Sequence, residues 1–263
     1  MEIFTGKKFP KVLGVESAGI IEKIGNKVSK FKVGDRVMVS PGVKNGTYVE
    51  YIKVPATSLT LLPDAVSFKD GSSLPIVGTT AYNALFKLGA IKKGDKVLIN
   101  GAYGGVGIIA VQLAKLAGAE VTAVCSNQSE HQVQQLGTDH IVDYKKQSVY
   151  HIENQFDILF DTVGVLSFKK SKKLIKKGGV MINTLPTPKA MLTQLFSSVS
   201  SKKFKVINNK IESDTLAKLA QLVSQKKLKI IIDKEYGLDE LQAAHTYSES
   251  GRAKGKIVIE INS

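Results

Sequence analysis

The sequence has almost no cysteine and no long uninterrupted apolar run. Its 263 residues contain one cysteine, Cys125, so no intrachain disulfide, four-cysteine zinc cluster or CxxC redox pair can form. No apolar segment approaches the roughly 18 to 20 residues that a membrane-spanning helix requires. Residues 1–10 also lack the apolar stretch of a secretory signal. These absences favour a soluble, cytoplasmic protein, in which any redox chemistry would need a bound cofactor.

Acidic residues are outnumbered by basic ones, which gives a formal net charge of +14. Such a charge attracts nucleotides, nucleic acids and acidic membrane surfaces, and it selects none of them. The densest basic stretch, Lys169–Lys177, has Leu174 and Ile175 among its lysines and no aromatic residue interleaved for base stacking. We therefore predict a solvated helix face here rather than a specific nucleic-acid site.

The spacing of residues excludes three classes of functional site. Residues 89–96, GAIKKGDK, carry Asp95 and Lys96 where a GxxxxGK[ST] phosphate loop needs Lys and Ser or Thr. A short-chain dehydrogenase needs Tyr-x-x-x-Lys, and none of the tyrosines is followed by lysine four residues later. The histidines are scattered without metal-ligand spacing, at His131, His140, His151 and His245. The sequence therefore predicts no metal site.

The pattern of apolar residues along the chain changes near Lys96. Before about residue 75 it is β-rich, with strands predicted at Gly19–Ile24, Arg36–Ser40 and Tyr48–Val54. Afterwards, short apolar runs alternate with helical patterns, as in an α/β protein whose parallel sheet is covered on both faces. A last strand, Lys256–Ile261, could belong to either region. The strands predicted for the parallel sheet are Val97–Asn100, Val121–Cys125, His140–Asp143, Asp157–Phe160, Val180–Asn183 and Lys229–Ile232.

A glycine-rich turn follows the first of these strands. In residues 100–107, NGAYGGVG, the positions of a GxGxxG fingerprint are held by Ala102, Gly104 and Gly107. The turn opens a helix that Gly118 is placed to cap; its apolar residues are Val106, Ile109, Ala110, Leu113, Ala114 and Ala117. A strand, this turn and a helix together predict a phosphate-binding loop of a doubly wound Rossmann sheet, with nicotinamide cofactor phosphates at the helix N-terminus.

The end of the second strand bears on which cofactor binds. An acidic residue there would bind the 2′-hydroxyl of the NAD ribose, but residues 125–129 read Cys-Ser-Asn-Gln-Ser. Hydroxyl and amide donors without a carboxylate favour NADPH over NADH, although no arginine is present for a 2′-phosphate.

Several motifs together resemble the quinone-oxidoreductase branch of the medium-chain dehydrogenase/reductase superfamily. They are Leu13–Gly19 (LGVESAG), Gly34–Val37 (GDRV), Gly46–Tyr51 (GTYVEY), Leu74–Tyr82 (LPIVGTTAY), Ile141–Tyr144 (IVDY), Asp161–Gly164 (DTVG) and Gly255–Val258 (GKIV). The resemblance implies a GroES-like β-barrel domain at 1–76 and 234–263, closed by the C-terminal strand, around a Rossmann domain at 77–233. It also implies a homodimer and a small-molecule quinone or α,β-unsaturated carbonyl (enone) substrate.

The sequence departs from this family in two places. Zinc-dependent members carry Gly-His-Glu, with a zinc-binding histidine, where this chain has Gly14-Val15-Glu16. Hydride transfer to a quinone or enone needs no zinc, because the conjugated acceptor carries the developing charge on its own oxygen. The chain also begins where relatives have an N-terminal segment behind them, so the barrel is expected to be incomplete. A catalytically weak NADPH-binding or RNA-binding relative is therefore the alternative function.

The resemblance assigns residues around the cofactor. The residues expected to contact the pyrophosphate are Gly104, Gly105, Val106 and Gly107. Those expected around the adenosine ribose and its 2′-phosphate are Ser126, Ser129 and Tyr144. Those expected around the nicotinamide are Thr80, Gly164, Thr184 and Leu185. Lys256 is expected to reach a phosphate.

Structural alternatives stay open for three of these residues: Thr80 could cap a helix over Thr80–Lys87, Tyr144 could be a half-buried strand end, and Lys256 could be a surface residue. Glu16 is expected to be buried and to tie strands together. We take Thr80 and Tyr51 as the catalytic residues, with Tyr51, Tyr48 or water as the source of a proton.

Overall fold

The computed structural model describes residues 12–41, 46–208 and 210–261. They form two compact units, one from Met1–Thr79 with Lys210–Ser263 and the other from Thr80–Asn209. The domain bounds expected from the family resemblance differ from these by a few residues at the first junction and by about two dozen at the second, and they stay a prediction.

The second unit is built on a six-stranded parallel sheet. Its central strands are apolar and buried, as expected when helices cover both faces of a parallel sheet. This confirms the α/β, doubly wound fold. The strands are β4 Lys96–Asn100, β5 Glu120–Cys125, β6 His140–Asp143, β7 Phe156–Asp161, β8 Ile175–Asn183 and β9 Lys203–Val206. Their order across the sheet is β6-β5-β4-β7-β8-β9.

The helix predicted after the glycine turn is α3, Gly105–Leu116, and its apolar stripe is buried. Gly118 follows its C-cap with φ +79°, a conformation that favours glycine, so the predicted cap is confirmed. Shorter helices complete the unit: α4 Glu130–Gln135, α5 Phe168–Ser171 and α6 Pro188–Ser197. The basic stretch is therefore only partly helical: after α5 it passes through a short 3₁₀ turn and enters β8, with Leu174 and Ile175 buried.

The first unit contains two small sheets. Strands β1 Ser17–Ile20, β2 Arg36–Val39 and β3 Leu59–Leu61 pair antiparallel in that order, and β10 Ile232–Gly237 pairs parallel with β11 Lys256–Glu260. The C-terminal strand therefore pairs with β10 among the described residues. The helices of this unit are α1 Phe68–Ser72, α2 Pro75–Tyr82, which runs on into the second unit, α7 Ser213–Ser224 and α8 Leu241–Glu249.

Two predicted strands are wrong, two strands (β3 and β9) were missed, and one predicted strand is displaced. Tyr48–Val54 has an alternating pattern but forms no strand, and most of its side chains are exposed or half-buried. Lys229–Ile232 is not part of the parallel sheet, because the strand there begins at Ile232 and pairs with β11. The sixth position belongs to β9, whose lysines suit an edge strand. The strand predicted at Gly19–Ile24 lies at Ser17–Ile20.

Helix boundaries also differ from the prediction around Thr80. The helix begins at Pro75 rather than at Thr80, so Thr80 does not cap it. Beyond Tyr82 the chain continues as a π-helix, Asn83–Leu88, in which Gly89 N donates to Ala84 O at 2.8 Å. Proline is well suited to the first helical position, because it has no N–H to leave unpaired there.

Helix α7 packs within the first unit, and Leu219 is one of its buried residues. This side chain is fully buried, and α7 contacts β3. We expect Leu219→Ala to lower the free energy of unfolding by about 2–5 kcal/mol, because it leaves a cavity. Urea denaturation measures this, with the exposed Lys218→Ala on the same helix as the control, expected within about 0.5 kcal/mol of wild type. Equal stability of the two variants would contradict the assigned packing.

Candidate dinucleotide-binding site

The strand order reverses between β4 and β7, which are neighbours in the sheet although β5 and β6 separate them in sequence. In open α/β sheets, ligands bind in the crevice at the carboxyl ends of the strands at such a point. The glycine turn Gly101–Gly104 leaves β4 on one side of it, and the segment Thr162–Leu166 leaves β7 on the other.

The glycine turn brings the backbone close to the start of α3. Gly101 has φ +79°, and a Cβ there would lie 2.6 Å from Thr162 Oγ1. Gly107 packs against the turn itself, since a Cβ on it would lie 2.1 Å from Gly101 O. Gly104 differs, with the nearest atom to its Cβ position at 3.5 Å. The first N–H groups of α3 have no intrahelical acceptor and carry the positive end of the helix dipole, which suits an anionic phosphate.

Four buried polar residues end strands of the sheet, and we call them the strand-end row: Asn100, Asp161 and Asn183 on three neighbouring strands, and Asp143 on β6, which β5 separates from β4. Asn100 and Asp161 are paired in register, and Asn100 Nδ2 donates to Asp161 Oδ1 at 2.8 Å. Asp161 also pairs in register with Asn183. Each residue of the strand-end row lies at the carboxyl end of its strand, where the following loop begins, and the row therefore lines the edge of the crevice.

Asp161 holds the loop after β7. Its Oδ1 accepts from Gly164 N at 3.0 Å and its Oδ2 accepts from Leu166 N at 2.7 Å. Thr162 Oγ1 donates to Asn100 O at 2.7 Å, which joins this loop to the start of the glycine turn. The sequence showed Asp161 only as part of a motif, and its anchoring role was missed. A polar residue that ends an apolar strand is the signal that would have found it.

Three of the four predicted nicotinamide-side residues lie together beside that loop. A Cβ on Gly164 would lie 2.5 Å from Leu185 Cγ, so glycine is needed for this close approach. Thr184 Oγ1 donates to Thr162 O at 3.1 Å, and Asn183 Oδ1 accepts from Leu185 N at 2.7 Å. The structure therefore brings Gly164, Thr184 and Leu185 into one cluster.

The end of β5 meets the end of β6. Ser126 is half-buried, Ser129 is buried, and Tyr144 is exposed with its N–H donating to Cys125 O at 3.2 Å. Burial raises the pKa of the Cys125 thiol to about 11, with smaller contributions from Glu130 and Asp143. Those two carboxylates were not considered in the NADPH prediction.

Two further residues near this point were missed. Lys145 and Lys146 are exposed and directly follow Tyr144. Lys145 N donates to Asp143 Oδ1 at 3.0 Å, so the buried carboxylate of Asp143 holds the turn that carries both lysines. The sequence does show two lysines shortly after a predicted strand, and this signal could have identified the turn as one that attracts anions.

Other predicted site residues lie in the first unit or at its junction. Thr80 is 7% exposed within α2, and Tyr51 is 66% exposed in a segment without regular structure. Lys256 forms an ion pair with Glu16, whose other oxygen accepts from Ile76 N at 2.7 Å at the start of α2. Glu16 thus joins β11 to a helix N-terminus, where an anion is favoured. Burial, with Glu16 nearby, raises the pKa of Tyr48, which makes it a weaker acid.

The described residues contain no group of three or more His, Cys, Asp or Glu side chains placed to hold a metal ion. Val15, which stands where zinc-dependent relatives carry a histidine, offers no ligand atom. Within the same described ranges, no helix is long and apolar enough to cross a bilayer.

Comparisons with known proteins agree with this fold. Residues 1–64 match the alcohol dehydrogenase GroES-like domain, and residues 136–259 match a family model described as zinc-binding dehydrogenase. The chain is 34% identical to the chloroplastic quinone-oxidoreductase QR1 of Triphysaria versicolor, over 98% of this chain and 82% of that protein. The chain belongs to the quinone-oxidoreductase branch of the medium-chain dehydrogenase/reductase superfamily. This branch includes nicotinamide-dependent oxidoreductases, and the chain is one of them.

Two other relatives support the same placement. The mitochondrial NAD(P)H oxidoreductase RTN4IP1 of Bos taurus is 32% identical over 97% of this chain and 72% of that protein. The structure of the quinone oxidoreductase from Coxiella burnetii superposes with a TM-score of 0.90 at 29% identity, covering 97% of this chain and 80% of that one.

The contact between Gly107 and Gly101 can be tested without cofactor. In Gly107→Ala the new methyl group meets backbone atoms that cannot rotate away, so the free energy of unfolding should fall by about 1–3 kcal/mol. Urea denaturation measures this, with Gly104→Ala as the control, since its methyl group makes only an ordinary contact. If both variants unfold like wild type, the tight turn is absent in solution.

Proposed function

We propose that this protein reduces a quinone or an α,β-unsaturated carbonyl with NADPH and without zinc. The observation that carries the proposal is the glycine turn, which opens onto the N-terminus of α3 beside the buried Asn100–Asp161 pair at the reversal of the sheet. The names of the relatives, quinone oxidoreductase and NAD(P)H oxidoreductase, support the reaction class.

The residues of the second unit fit a dinucleotide. The N–H groups of Gly105, Val106 and Gly107, with the close approach allowed at Gly104, would hold the pyrophosphate. Gly164, Thr184 and Leu185, with Thr80, would hold the nicotinamide end. When bound, the reduced nicotinamide supplies a hydride.

A preference for NADPH over NADH is part of the proposal. The hydroxyl groups of Ser126, Ser129 and Tyr144 are its first support, and the exposed Lys145 and Lys146 add positive charge in the turn after β6. Phosphate oxygens accept hydrogen bonds from such donors, and a lysine adds charge attraction. The carboxylates of Glu130 and Asp143 oppose the preference, but Asp143 is buried and accepts a backbone N–H.

Catalysis would rest on positioning and on stabilising the acceptor oxygen. Hydride addition to a quinone or to the β-carbon of an enone leaves negative charge on that oxygen, which then takes a proton. Tyr51 has an exposed side chain able to donate that proton, and water is the other source. We assign Lys256 to a cofactor phosphate. Its partner Glu16 would fix the position of its ammonium group.

The homodimer and the cytoplasmic location also stay predictions. The relatives named above include chloroplastic and mitochondrial proteins, so the compartment of this chain is best determined directly by fractionation of its source cells.

Turnover with a defined acceptor tests the reaction. We expect the purified full chain to oxidise NADPH when 9,10-phenanthrenequinone or an alkenal is added, followed by the loss of nicotinamide absorbance. Activity should be higher with NADPH than with NADH and unchanged by a zinc chelator. NADPH binding without turnover of any acceptor would favour the alternative of a catalytically weak binding protein. A stoichiometric zinc ion in the active protein would contradict the metal-free reaction.

Binding of the pyrophosphate is tested at Gly104. We expect Gly104→Ala to weaken NADPH binding by about tenfold or more, because its methyl group would occupy the space needed for close approach of the phosphates. Titration followed by NADPH fluorescence measures this. Gly25→Ala is the matched control, since a Cβ there meets nothing within 4 Å. Wild-type affinity in Gly104→Ala would place the phosphates elsewhere.

A further inference from the structure

Helix α6 presents an apolar face to solvent. Met191, Leu192, Leu195 and Phe196 are exposed, the last by 74%, and Val199 just beyond the helix is exposed by 94%. The four helical positions follow the i, i+1, i+4, i+5 spacing of a single stripe. Ala190 and Ser197 lie on the opposite side and are buried. We call the five exposed residues the α6 apolar face.

The helix is fixed to the sheet, so this face is not a loose segment. Ser197 Oγ accepts from Phe204 N at 2.9 Å, and Gln194 Oε1 accepts from Val206 N at 2.7 Å. Both partners belong to the edge strand β9. Ala190 packs in the core of the second unit. Monomeric proteins seldom leave such a contiguous apolar patch in water unless it has a partner.

The surrounding sequence carries charge of one sign. Residues 162–211 contain eleven lysines and no Asp or Glu, whereas the rest of the chain has 26 basic and 23 acidic residues. Most of the net charge of +14 therefore comes from this segment. Five of its lysines lie exposed in the basic stretch before and within β8: Lys169, Lys170, Lys172, Lys173 and Lys177.

The basic stretch and the α6 apolar face belong to one region of the fold. Lys202 Nζ donates to Lys172 O at 2.7 Å, and Lys203 donates to Ser198 O at the end of α6. The rings of Phe168 and Phe204 are 5.2 Å apart between their centroids. Both segments therefore pack against β9, and in sequence lysines border the apolar stripe, with Lys189 before it and Lys202 and Lys203 after it.

We propose that the α6 apolar face docks on an anionic lipid bilayer. An exposed apolar helix face flanked by lysines is the pattern of an interfacial helix, whose apolar side chains enter the acyl boundary while the cations meet anionic headgroups. Nucleic acid would satisfy the lysines but would leave the aliphatic side chains in water. A second copy placed on this face would bring two lysine-rich segments together. The inference does not depend on the proposed reaction.

Insertion can be measured directly because the chain contains no tryptophan. In Phe196→Trp the only indole lies on the α6 apolar face. We expect its emission to shift to the blue when phosphatidylglycerol–phosphatidylcholine vesicles are added, and to shift less with phosphatidylcholine alone. Ile20→Trp is the control, because Ile20 is also exposed but lies on β1. No shift in Phe196→Trp, or an equal shift in both variants, would overturn the proposal.

Co-sedimentation with the same vesicles separates the apolar and charge contributions. Leu195→Ser with Phe196→Ser should lower partitioning by about tenfold or more, and Lys169→Glu with Lys173→Glu should lower it on anionic vesicles only. Ile20→Ser and Lys23→Glu with Lys27→Glu are the matched controls, expected to bind like wild type. Wild-type partitioning of the Leu195/Phe196 variant would overturn the proposal. Two other results would also overturn it. One is light scattering that shows a dimer for the wild type and a monomer for the Leu195/Phe196 variant, and the other is oligonucleotide binding by the wild type that this variant abolishes.

Discussion

The buried carboxylate of Asp161 is the constraint on which the candidate site depends. An unpaired charge in a protein interior is costly unless hydrogen bonds satisfy it. Here the donors are the side chain of Asn100 and the N–H groups of Val163, Gly164 and Leu166. One carboxylate thereby fixes the loop after β7 and links it to the end of β4, so both walls of the crevice are set by the same group.

The glycine turn depends on the same contacts. Thr162, which follows Asp161, donates to Asn100 O and lies where a side chain on Gly101 would have to be. Gly107 in turn occupies space beside Gly101 O that no side chain could share. The conformations of the glycine turn and of the loop after β7 are therefore coupled, and a substitution in one segment should alter the conformation of the other.

The sequence predicted the parts of the site that local chemistry determines. The strand, the glycine turn and helix α3 all follow from residues that are adjacent in sequence, and Gly118 marks the helix end by its own conformation. Elements that depend on a distant partner were predicted less well. Tyr48–Val54 has the alternating pattern of a strand but no pairing partner among the described residues. Strand β9 lies at the edge of the sheet, and its lysines interrupt the apolar run by which the other parallel strands were recognised. The roles of Asp161 and Asn183 depend on loops that no periodicity reveals.

In the function proposed above, a nicotinamide cofactor binds at the reversal of the sheet, with its phosphates on the first turn of α3. Amide hydrogen exchange with and without NADPH tests it most directly. We expect slower exchange on NADPH binding at Gly105, Val106 and Gly107 and in the loop Thr162–Leu166, with little change in β1 or α7. Unchanged exchange in these two segments at saturating NADPH, or protection confined to other segments, would contradict this binding site.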